Sequence, residues 1–434
     1  MTRKTLLFAP ALLLLAACGG DDEPTPQPPC DRSVAGNLCI VAGNFENGYD
    51  ENADDVVLDA LEAKMSLPQD TLTAPDGAIY ILDWNNHRIR EAKDGKLRWL
   101  AGRGELGGNL DDPANGDFNH PTNIIFDESG QRIIIAAWHN SKIRTLDLAS
   151  GEIVDTCGDG KRAYFGDDGP ALSSSLDLPA SVELDPNGDL VIMDQANQVL
   201  RRVDGNGDIH LMAGQCIIDA PSPAGPGPCE EGTEPVQCPD GPNGPSGKWT
   251  CGDPAEFCSL PCTPGYSGDD IPATEMRMAQ PFGQSATPAG RIAFDGDGNL
   301  YFADTANHLI RMIDSDGMVH RVAGQPPEDG VARYGFEGGG GPAVDALLNY
   351  PVDLAFGDDG TLYFTDVNNH CVRAIDPGGM IRTVAGICGQ KGAGEDGLPA
   401  TETELKVPYG VEYADGRLII SDTGNNVIRT MQVQ

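Results

Sequence analysis

The residue types that could do chemistry in this chain recur in one eight-residue phrase, which keeps an aspartate, an asparagine and an arginine at a fixed spacing. Its clearest copy, DTANHLIR, runs from Asp304 to Arg311. Looser copies begin at Asp83, Ala137, Asp194, Asp366 and Asp422. Carboxylate and amide side chains hold turns by accepting nearby backbone N–H groups, and the arginine can reach acidic residues of a neighbouring turn. Because a reactive site is not normally built six times, the phrase predicts structure rather than catalysis.

The copies of the phrase that depart from the common pattern are the better candidates for a binding site. Its first copy carries Trp84 and His87, and its second replaces the aspartate by Ala137 and continues with Trp138 and His139. Both tryptophans hold the same position in the predicted turn, so we expect them side by side on one face. An aromatic pair with hydrogen-bonding neighbours suits a sugar ring or a peptide side chain. The alternative is that each tryptophan only packs over its own repeat.

The elements that position these residues are four short strands in each repeat. In the fifth repeat, Gly/Asp/Pro turns separate predicted strands at Asp353 to Phe356, Thr361 to Thr365, His370 to Ile375 and Met380 to Ala385. Short runs rich in Val, Ile, Tyr and Phe between such turns indicate an antiparallel meander. Copies of the phrase are 54 to 62 residues apart except for one gap of 110, which we interpret as one period plus an insertion over residues 215–279.

Four-stranded units that repeat radially form a β-propeller, which leaves only short, protected sheet edges. The sixth repeat ends at Gln434 without a fourth strand, and the matching segment, Leu38 to Gly43, stands near the other end of the chain. The sequence therefore predicts an all-β fold. We expect one six-bladed β-propeller over residues 35–434, closed by an N-terminal strand and carrying a Cys-rich irregular insertion.

A second pattern precedes the first strand of most repeats. It reads FGDDGPALSSSLDLP from Phe165, YSGDDIPATEMRMAQP from Tyr266, FEGGGGPAVDALLNYP from Phe336 and GEDGLPATETELKVP from Gly394. Together with the phrase and the Val-Ala-Gly end of the fourth strand, this recurring pattern resembles the NHL repeat. The resemblance covers residues 35–434 apart from the insertion, and it implies a six-bladed binding platform. Peptide-amidating lyases are an enzymatic minority of that family, and related six-bladed folds include calcium-dependent lactonases.

The expected fold places one set of residues around the mouth of the central channel, because each first strand begins on the face that carries the phrase. These residues are Asp70, Asn123, Ser181, Arg291, Asp353 and Gly410, with Glu183 and Glu412 two positions further on. A metal-dependent amidating lyase would need several histidines there, and only His120 is expected nearby. A calcium-dependent lactonase would use as ligands Asp70, Asn123, Glu183 and Asp353. The alternative is a polar, water-filled channel with no reaction.

Calcium could also bind in the acidic turns. The stretches Gly166 to Asp168 and Gly268 to Asp270 are the better candidates. The stretch Asp295 to Asn299 opens like a calcium loop but continues with Leu300 where such a loop needs glycine, so it predicts a hairpin turn. No cofactor is expected, and calcium is the metal that stays possible.

The chain has 12 cysteines, and export makes disulfide bonds their expected state. Six lie within the insertion, and the sequence leaves their pairing open: Cys216, Cys229, Cys238, Cys251, Cys258 and Cys262. Cys371 opens a third strand and Cys388 follows the adjacent fourth strand, so the two are close enough to bond. Cys30 and Cys39 could close a short loop, and Cys157 is the candidate for an unpaired thiol.

The N-terminus carries an export signal. A basic start precedes a short apolar stretch and the sequence Leu-Ala-Ala-Cys, which ends at Cys18 and resembles a bacterial lipobox. We therefore expect a signal peptide over residues 1–17 and a lipidated, Pro-rich tether over residues 18–34. Gly19 at the position after Cys18 favours an outer-membrane lipoprotein of the bacterial cell envelope. The alternative is an ordinary signal peptide.

Composition limits the partners. The formal net charge of −37 argues against nucleic acid and anionic lipid, so membrane contact is expected only through the lipid anchor. The sequence predicts a monomeric, exported platform for protein, peptide or glycan ligands rather than an enzyme, with the lactonase as the alternative. The expected ligand-binding residues are Trp84, His87, Trp138, His139, Asp70, Asn123, Arg291 and Asp353.

Overall fold

The computed structural model describes residues 30–50, 56–104, 106–108, 116–218, 236–237, 249–250, 262–283 and 286–433. Within these ranges, six antiparallel sheets of four main strands follow one another along the chain. Each first strand contacts the first strands of the two flanking sheets, so the six first strands surround a common axis. The predicted all-β, six-bladed β-propeller is confirmed.

The blades are numbered 1 to 6 in chain order. Blade 1 consists of Asp70–Thr73, Ile79–Asp83, Arg88–Lys93 and Lys96–Ala101. Blade 2 consists of Asn123–Phe126, Arg132–Ala137, Lys142–Asp147 and Ile153–Cys157. Blade 3 consists of Pro179–Leu184, Leu190–Asp194, Val199–Val203 and Asp208–Ala213.

The remaining blades repeat this order. Blade 4 consists of Ile292–Phe294, Leu300–Asp304, Leu309–Ile313 and Met318–Ala323. Blade 5 consists of Pro351–Phe356, Leu362–Asp366, Cys371–Ile375 and Ile381–Ala385. Blade 6 consists of Gly410–Ala414, Arg417–Asp422, Val427–Gln432 and the N-terminal strand Cys39–Ala42.

The N-terminal strand closes the ring. Cys39–Ala42 pairs antiparallel with Val427–Gln432, the third strand of blade 6. The backbone N–H of Gly36 donates to the carbonyl of Gln432, which extends the contact beyond the strand. The predicted N-terminal strand is therefore confirmed. It serves as the fourth, outermost strand of blade 6.

Short additional elements complete the blades. Blades 1, 3 and 4 each gain a two-residue outer strand: Leu58–Asp59, Gly169–Pro170 and Ile271–Pro272. A separate three-stranded sheet joins Ile217–Ile218, Val236–Gln237 and Trp249–Thr250. Because Ile271–Pro272 pairs with the fourth strand of blade 4, the end of the predicted insertion belongs to the propeller. Among the described residues, no helix has the length and apolar character to cross a membrane.

One-turn 3₁₀ helices mark two places in the blades. Six follow the second strands: Trp84–Asn86, Trp138–Asn140, Gln195–Asn197, Thr305–Asn307, Val367–Asn369 and Thr423–Asn425. Within the described ranges, four others lie between blades: Ala171–Ser173, Ala273–Glu275, Ala343–Asp345 and Ala400–Glu402. The first six define what we call the phrase face of the ring, and the opposite face carries the hairpin turns between first and second strands.

The hydrophobic core lies between neighbouring blades. Val191 and Met193 of blade 3, for example, are buried together with Phe302 and Val319 of blade 4. Because both faces of each sheet are covered in this way, the second strand Leu362–Asp366 is buried along its whole length. Removal of this apolar surface from water is the main force that holds the ring together.

The phrase itself is structural, as predicted. In blade 4, Asp304 accepts hydrogen bonds from Ala279 N (2.7 Å) and Asn307 Nδ2 (2.9 Å), and it pairs with Arg311 Nη1 (3.3 Å). Arg311 Nη1 also donates to the carbonyl of Arg277 (3.0 Å). The aspartate and arginine of one phrase thus bind each other and fasten the segment that enters the blade. In blade 2, where Ala137 replaces the aspartate, Asn140 Oδ1 accepts the equivalent backbone N–H, from Asn119 (2.9 Å).

Three disulfides lie within the described residues. Cys30–Cys39 and Cys371–Cys388 are the two pairs expected from the sequence, and Cys216–Cys262 joins the ends of the insertion. Cys157 is unpaired and buried, as predicted. Cys18, Cys229, Cys238, Cys251 and Cys258 lie outside the described residues, as do the predicted signal peptide and most of the tether.

Candidate functional site

The channel residues come together, but they do not form an open mouth. Arg291 Nη1 lies 2.7 Å from Asp70 Oδ1 and 2.9 Å from Asp353 Oδ2. Its Nη2 donates to the carbonyls of Gln69 (3.0 Å) and Thr122 (2.5 Å). All of these groups are buried. The guanidinium therefore closes the axis of the ring near the phrase face.

The other members of the set join one blade to the next. Asp70 Oδ2 accepts from Ile124 N (2.9 Å), and Asn123 Oδ1 accepts from Val182 N (2.8 Å). The same kind of contact joins Ser181 Oγ to Ile292 N (3.3 Å) and Asp353 Oδ2 to Val411 N (2.8 Å). Blades 1, 2, 3 and 5 thus each offer a short acceptor to the backbone of the following first strand. In the structure the polar atoms of these residues bind one another, and Asp70, Asn123 and Asp353 also line a cavity on the axis, so ligand contact at Asp70, Asn123, Arg291 and Asp353 stays a prediction.

The four residues expected to bind calcium in a lactonase, Asp70, Asn123, Glu183 and Asp353, line one cavity, but Arg291 competes for two of them. Arg291 forms ion pairs with Asp70 and Asp353, two of the four expected calcium ligands. Glu183 Oε1 instead accepts a hydrogen bond from the backbone N–H of Leu184 (3.1 Å). A bound guanidinium and a calcium ion would compete for the same oxygens, and the guanidinium is part of the chain.

A cavity of about 320 Å³ lies beyond Arg291, toward the opposite face. Glu183 and Glu412 are in its wall, and burial raises the pKa of each to about 7. Glu412 Oε2 accepts from Thr73 Oγ1 (3.0 Å), so this carboxyl also joins blade 6 to blade 1. Asp70, Asn123 and Asp353 also line this cavity, and of its two glutamates Glu412 is the one that holds two inner strands together.

On the phrase face, aromatic side chains of blades 1 and 2 form a cluster. The ring of His120 lies 4.5 Å from that of Trp84 and 4.9 Å from that of His139, measured between centroids. His139 stacks on Trp138 at 4.1 Å. Trp84, His120 and His139 are each half-buried, so part of each ring faces solvent.

Trp138 does not share this exposure. Only 1% of it is accessible, and its Nε1 donates to Gln195 Oε1 (3.2 Å). Leu178, Ala180 and Ala196 of blade 3 surround the ring. Trp84 and Trp138 lie side by side as expected, but Trp138 packs between blades and only Trp84 is partly exposed.

His87 is also structural. It is buried, and its Nδ1 accepts a hydrogen bond from the backbone N–H of His120 (3.2 Å) in the next blade. His308 accepts in the same way from Tyr350 N (2.9 Å), and His370 from Val407 N (3.3 Å). We call these contacts the interblade clasps. Burial lowers the pKa of His87 and of His308 to about 4, so both imidazoles are neutral acceptors at neutral pH.

Sequence reasoning undervalued His120 and missed Tyr350 and Phe282. His120 and Tyr350 precede a proline at the start of a first strand, and both have a left-handed backbone, with φ of 52° and 64°. Phe282 is 44% exposed and lies in an extra loop whose Pro281 carbonyl accepts from Gln195 Nε2 (2.7 Å). For His120 and Tyr350, the signal in the sequence was their recurring position immediately before a proline at the start of a first strand. We call Trp84, His120, His139, Phe282 and Tyr350 the aromatic rim.

The acidic turns are occupied by arginine and histidine side chains of the same protein. Asp167 pairs with Arg201 (2.7 Å), and Asp168 pairs with His210 (2.9 Å). In blade 4, Asp270 pairs with His320 (2.7 Å) and Asp269 pairs with Arg321 (3.1 Å). The two turns that were candidates for calcium are thus held by protein side chains.

Comparison with known proteins agrees with the repeat pattern. The NHL repeat family model matches residues 348–375. NHL repeat-containing protein 2 of Gallus gallus is 23% identical over 352 residues, which cover 72% of this chain and 46% of that protein. The chain spans less than half the length of the curated relatives it matches.

Two solved structures from Bacteroides thetaiotaomicron share the fold. A structural genomics protein of unknown function superimposes with a TM-score of 0.59 at 16% identity, over 91% of this chain and 75% of that one. A protein described as an auxiliary nutrient binding protein gives a TM-score of 0.55 at 15% identity, with the same coverage. At such identities the likeness shows the propeller fold alone.

Proposed function

We propose that this chain is an exported, surface-anchored binding protein that captures a peptide, protein or glycan on the aromatic rim. The observation that carries the proposal is the partly exposed cluster of Trp84, His120 and His139 on the phrase face. Beneath it, the buried ion pairs of Arg291 make a closed floor. A shallow aromatic surface over a rigid floor suits binding of an extended or ring-shaped ligand.

The chemistry of the rim favours recognition over reaction. Its rings offer apolar faces, and its imidazoles and Tyr350 offer hydrogen-bonding edges, which together match sugar rings and peptide side chains. The floor residues that could act as acids or bases are engaged with one another. The similarity in fold to an auxiliary nutrient binding protein supports the same class of function.

The test compares two variants of the mature protein on a glycan array and a peptide phage library. Trp84→Ala combined with Phe282→Ala removes two partly exposed rings of the rim. We expect the dissociation constant of any captured ligand to rise at least about tenfold, because exposed aromatic residues carry much of the energy of such contacts. Leu211→Ala is the control, since Leu211 is exposed on an outer strand.

Trp138→Ala separates binding from packing. The indole is buried between blades, so this variant should lose about 3 kcal/mol or more of unfolding free energy. Unchanged binding by the Trp84/Phe282 variant, or a parent protein that captures nothing from either collection, would refute the proposed function.

A further inference from the structure

Three electron-rich atoms converge within the aromatic rim. His120 Nδ1 lies 3.1 Å from His139 Nδ1 and 2.8 Å from Asn119 Oδ1. His139 stacks on the buried Trp138 and Asn119 is fixed through its backbone N–H, so both neighbours of His120 are held in place. The arrangement is thus part of the folded framework of blade 2.

Few hydrogens are shared by these three atoms. A neutral His120 has at most one hydrogen on Nδ1, and Asn119 Oδ1 and His139 Nδ1 both face that atom. With both imidazole hydrogens on Nε2, the two Nδ1 lone pairs and Asn119 Oδ1 face one another with no hydrogen between them, which favours a cation at this place.

The distances suit a borderline metal ion. Two imidazole nitrogens that share a tetrahedral zinc ion at about 2.0–2.1 Å lie about 3.3 Å apart, which is close to the 3.1 Å between His120 Nδ1 and His139 Nδ1. We propose that His120 and His139 form the core of a zinc-type divalent metal site on the phrase face, with Asn119 Oδ1 as an auxiliary ligand and solvent or a bound molecule in the remaining position. Imidazole ligands select zinc, copper and nickel over calcium.

The surroundings allow an ion to enter. His139 and Asn119 line a pocket of about 470 Å³ that also includes Lys142 and Arg144. Both cations are already paired with Asp155. The third imidazole, His87, is occupied by the backbone N–H of His120 and so supports the site without joining it. The proposal is independent of the peptide, protein or glycan ligand proposed above.

In the test, the mature protein is first freed of metal with a chelator, and the chelator is then removed. Binding of Zn²⁺ is measured by titration calorimetry. His139→Gln removes an imidazole from a partly exposed ring, and His120→Asn does the same while keeping a residue that tolerates a left-handed backbone. Both variants should fold, and both should bind Zn²⁺ at least about tenfold more weakly than the parent. His308→Gln and His320→Gln are matched controls that should leave this binding unchanged.

Electron paramagnetic resonance with Cu²⁺ gives a second readout. Coupling to two imidazole nitrogens is expected in the parent, and to at most one in His139→Gln. Zinc binding that persists at parental affinity in both rim variants, or a copper spectrum that does not change in His139→Gln, would overturn the proposal. So would a parent that binds no Zn²⁺ in the chelator-free titration.

Discussion

At the residue scale, the group that contacts an imidazole ring determines the pKa and the structural role of that histidine. His308 faces a backbone N–H of the next blade, whereas His320 faces the carboxylates of Asp314 and Asp270. Burial lowers the pKa of the first to about 4, and hydrogen bonding to Asp314 and Asp270 raises the pKa of the second. One chain thus contains histidines whose charge affects stability in opposite directions.

The two kinds of histidine give opposite dependences on pH. A lowered pKa in the folded state means that the unfolded chain takes up the proton first, so the contribution of His308 is complete above about pH 6.5 and is lost as the pH falls toward 4. A raised pKa means that the folded chain holds the proton more tightly. The contribution of His320 is therefore present below about pH 6.5 and is lost as the pH rises through its folded-state pKa.

His308→Gln tests the interblade clasps. Glutamine keeps an acceptor, as Gln198 does where it receives the N–H of Gln280 (2.7 Å), but it does not titrate. We expect stability within about 1 kcal/mol of the parent at pH 7 and a gain over the parent of about 2 kcal/mol at pH 4.5. Denaturant unfolding at both pH values measures the difference.

The matched variant for that experiment is His320→Gln, which should lose more stability at pH 5.5 than at pH 8. The same pH response in both variants would contradict the assignment of the two histidine environments.

At the scale of elements, each blade is joined to the next by polar contacts at the start of its first strand. Asp70, Asn123 and Asp353 each accept a backbone N–H from the following blade. Blade 4 differs, since it contributes Arg291, which forms ion pairs with both Asp70 and Asp353 across the axis. Six separate sheets therefore become one ring through buried hydrogen bonds as well as apolar packing.

Deletion of the chain up to Gly43 tests the closure of this ring. It removes the strand Cys39–Ala42 and exposes the edge of Val427–Gln432. An unpaired edge promotes association, and the lost packing lowers stability, so we expect aggregation or a melting temperature at least about 10 °C lower. Calorimetry and size-exclusion chromatography give the measurement, with a chain that begins at Cys30 as the control. Equal cooperativity and melting temperature in the two chains would disprove the role of the strand.

At the scale of the whole molecule, the two faces of the ring differ. The phrase face carries the aromatic rim over a floor closed by Arg291, and the opposite face opens into the cavity that Glu183 and Glu412 line. The net charge of −37 keeps such a protein soluble and away from anionic surfaces. Attachment through one end of the chain would leave either face free to bind a ligand.

Cys18→Ser tests that attachment, which we propose from the lipobox-like sequence. In a bacterial host supplied with labelled palmitate, the parent should incorporate the label and sediment with membranes after a high-salt wash. The variant should remain unlabelled, because no acyl chain can be added at serine in this position. Label in the variant, or none in the parent, would refute the lipoprotein proposal.

The fold was predictable because its signals are local and repeated. The spacing of the phrase, the alternation of apolar runs with turns and the displaced strand Leu38 to Gly43 are all visible without tertiary contacts. The candidate site was predictable only in part. Trp84 and His139 were found because they break the repeat, whereas His120 and Phe282 lie outside the phrase; His120 shares only the recurring position before a proline, and Phe282 lies in an extra loop without a counterpart in the other repeats.

The sequence by itself determined that the chain is a closed ring of six blades, because a period shared by six segments restricts how they can stack. Only the tertiary structure decided which polar residues are available to a ligand. Asp70, Asn123 and Asp353 resemble ligand-binding residues in the sequence, but Arg291 forms ion pairs with Asp70 and Asp353 across the axis, and Asn123 donates to Asp70. Trp84 and Trp138 are equivalent in the sequence, yet blade 3 covers only the second ring. Such differences depend on which residues of other blades come near, and that proximity arises only when the ring closes.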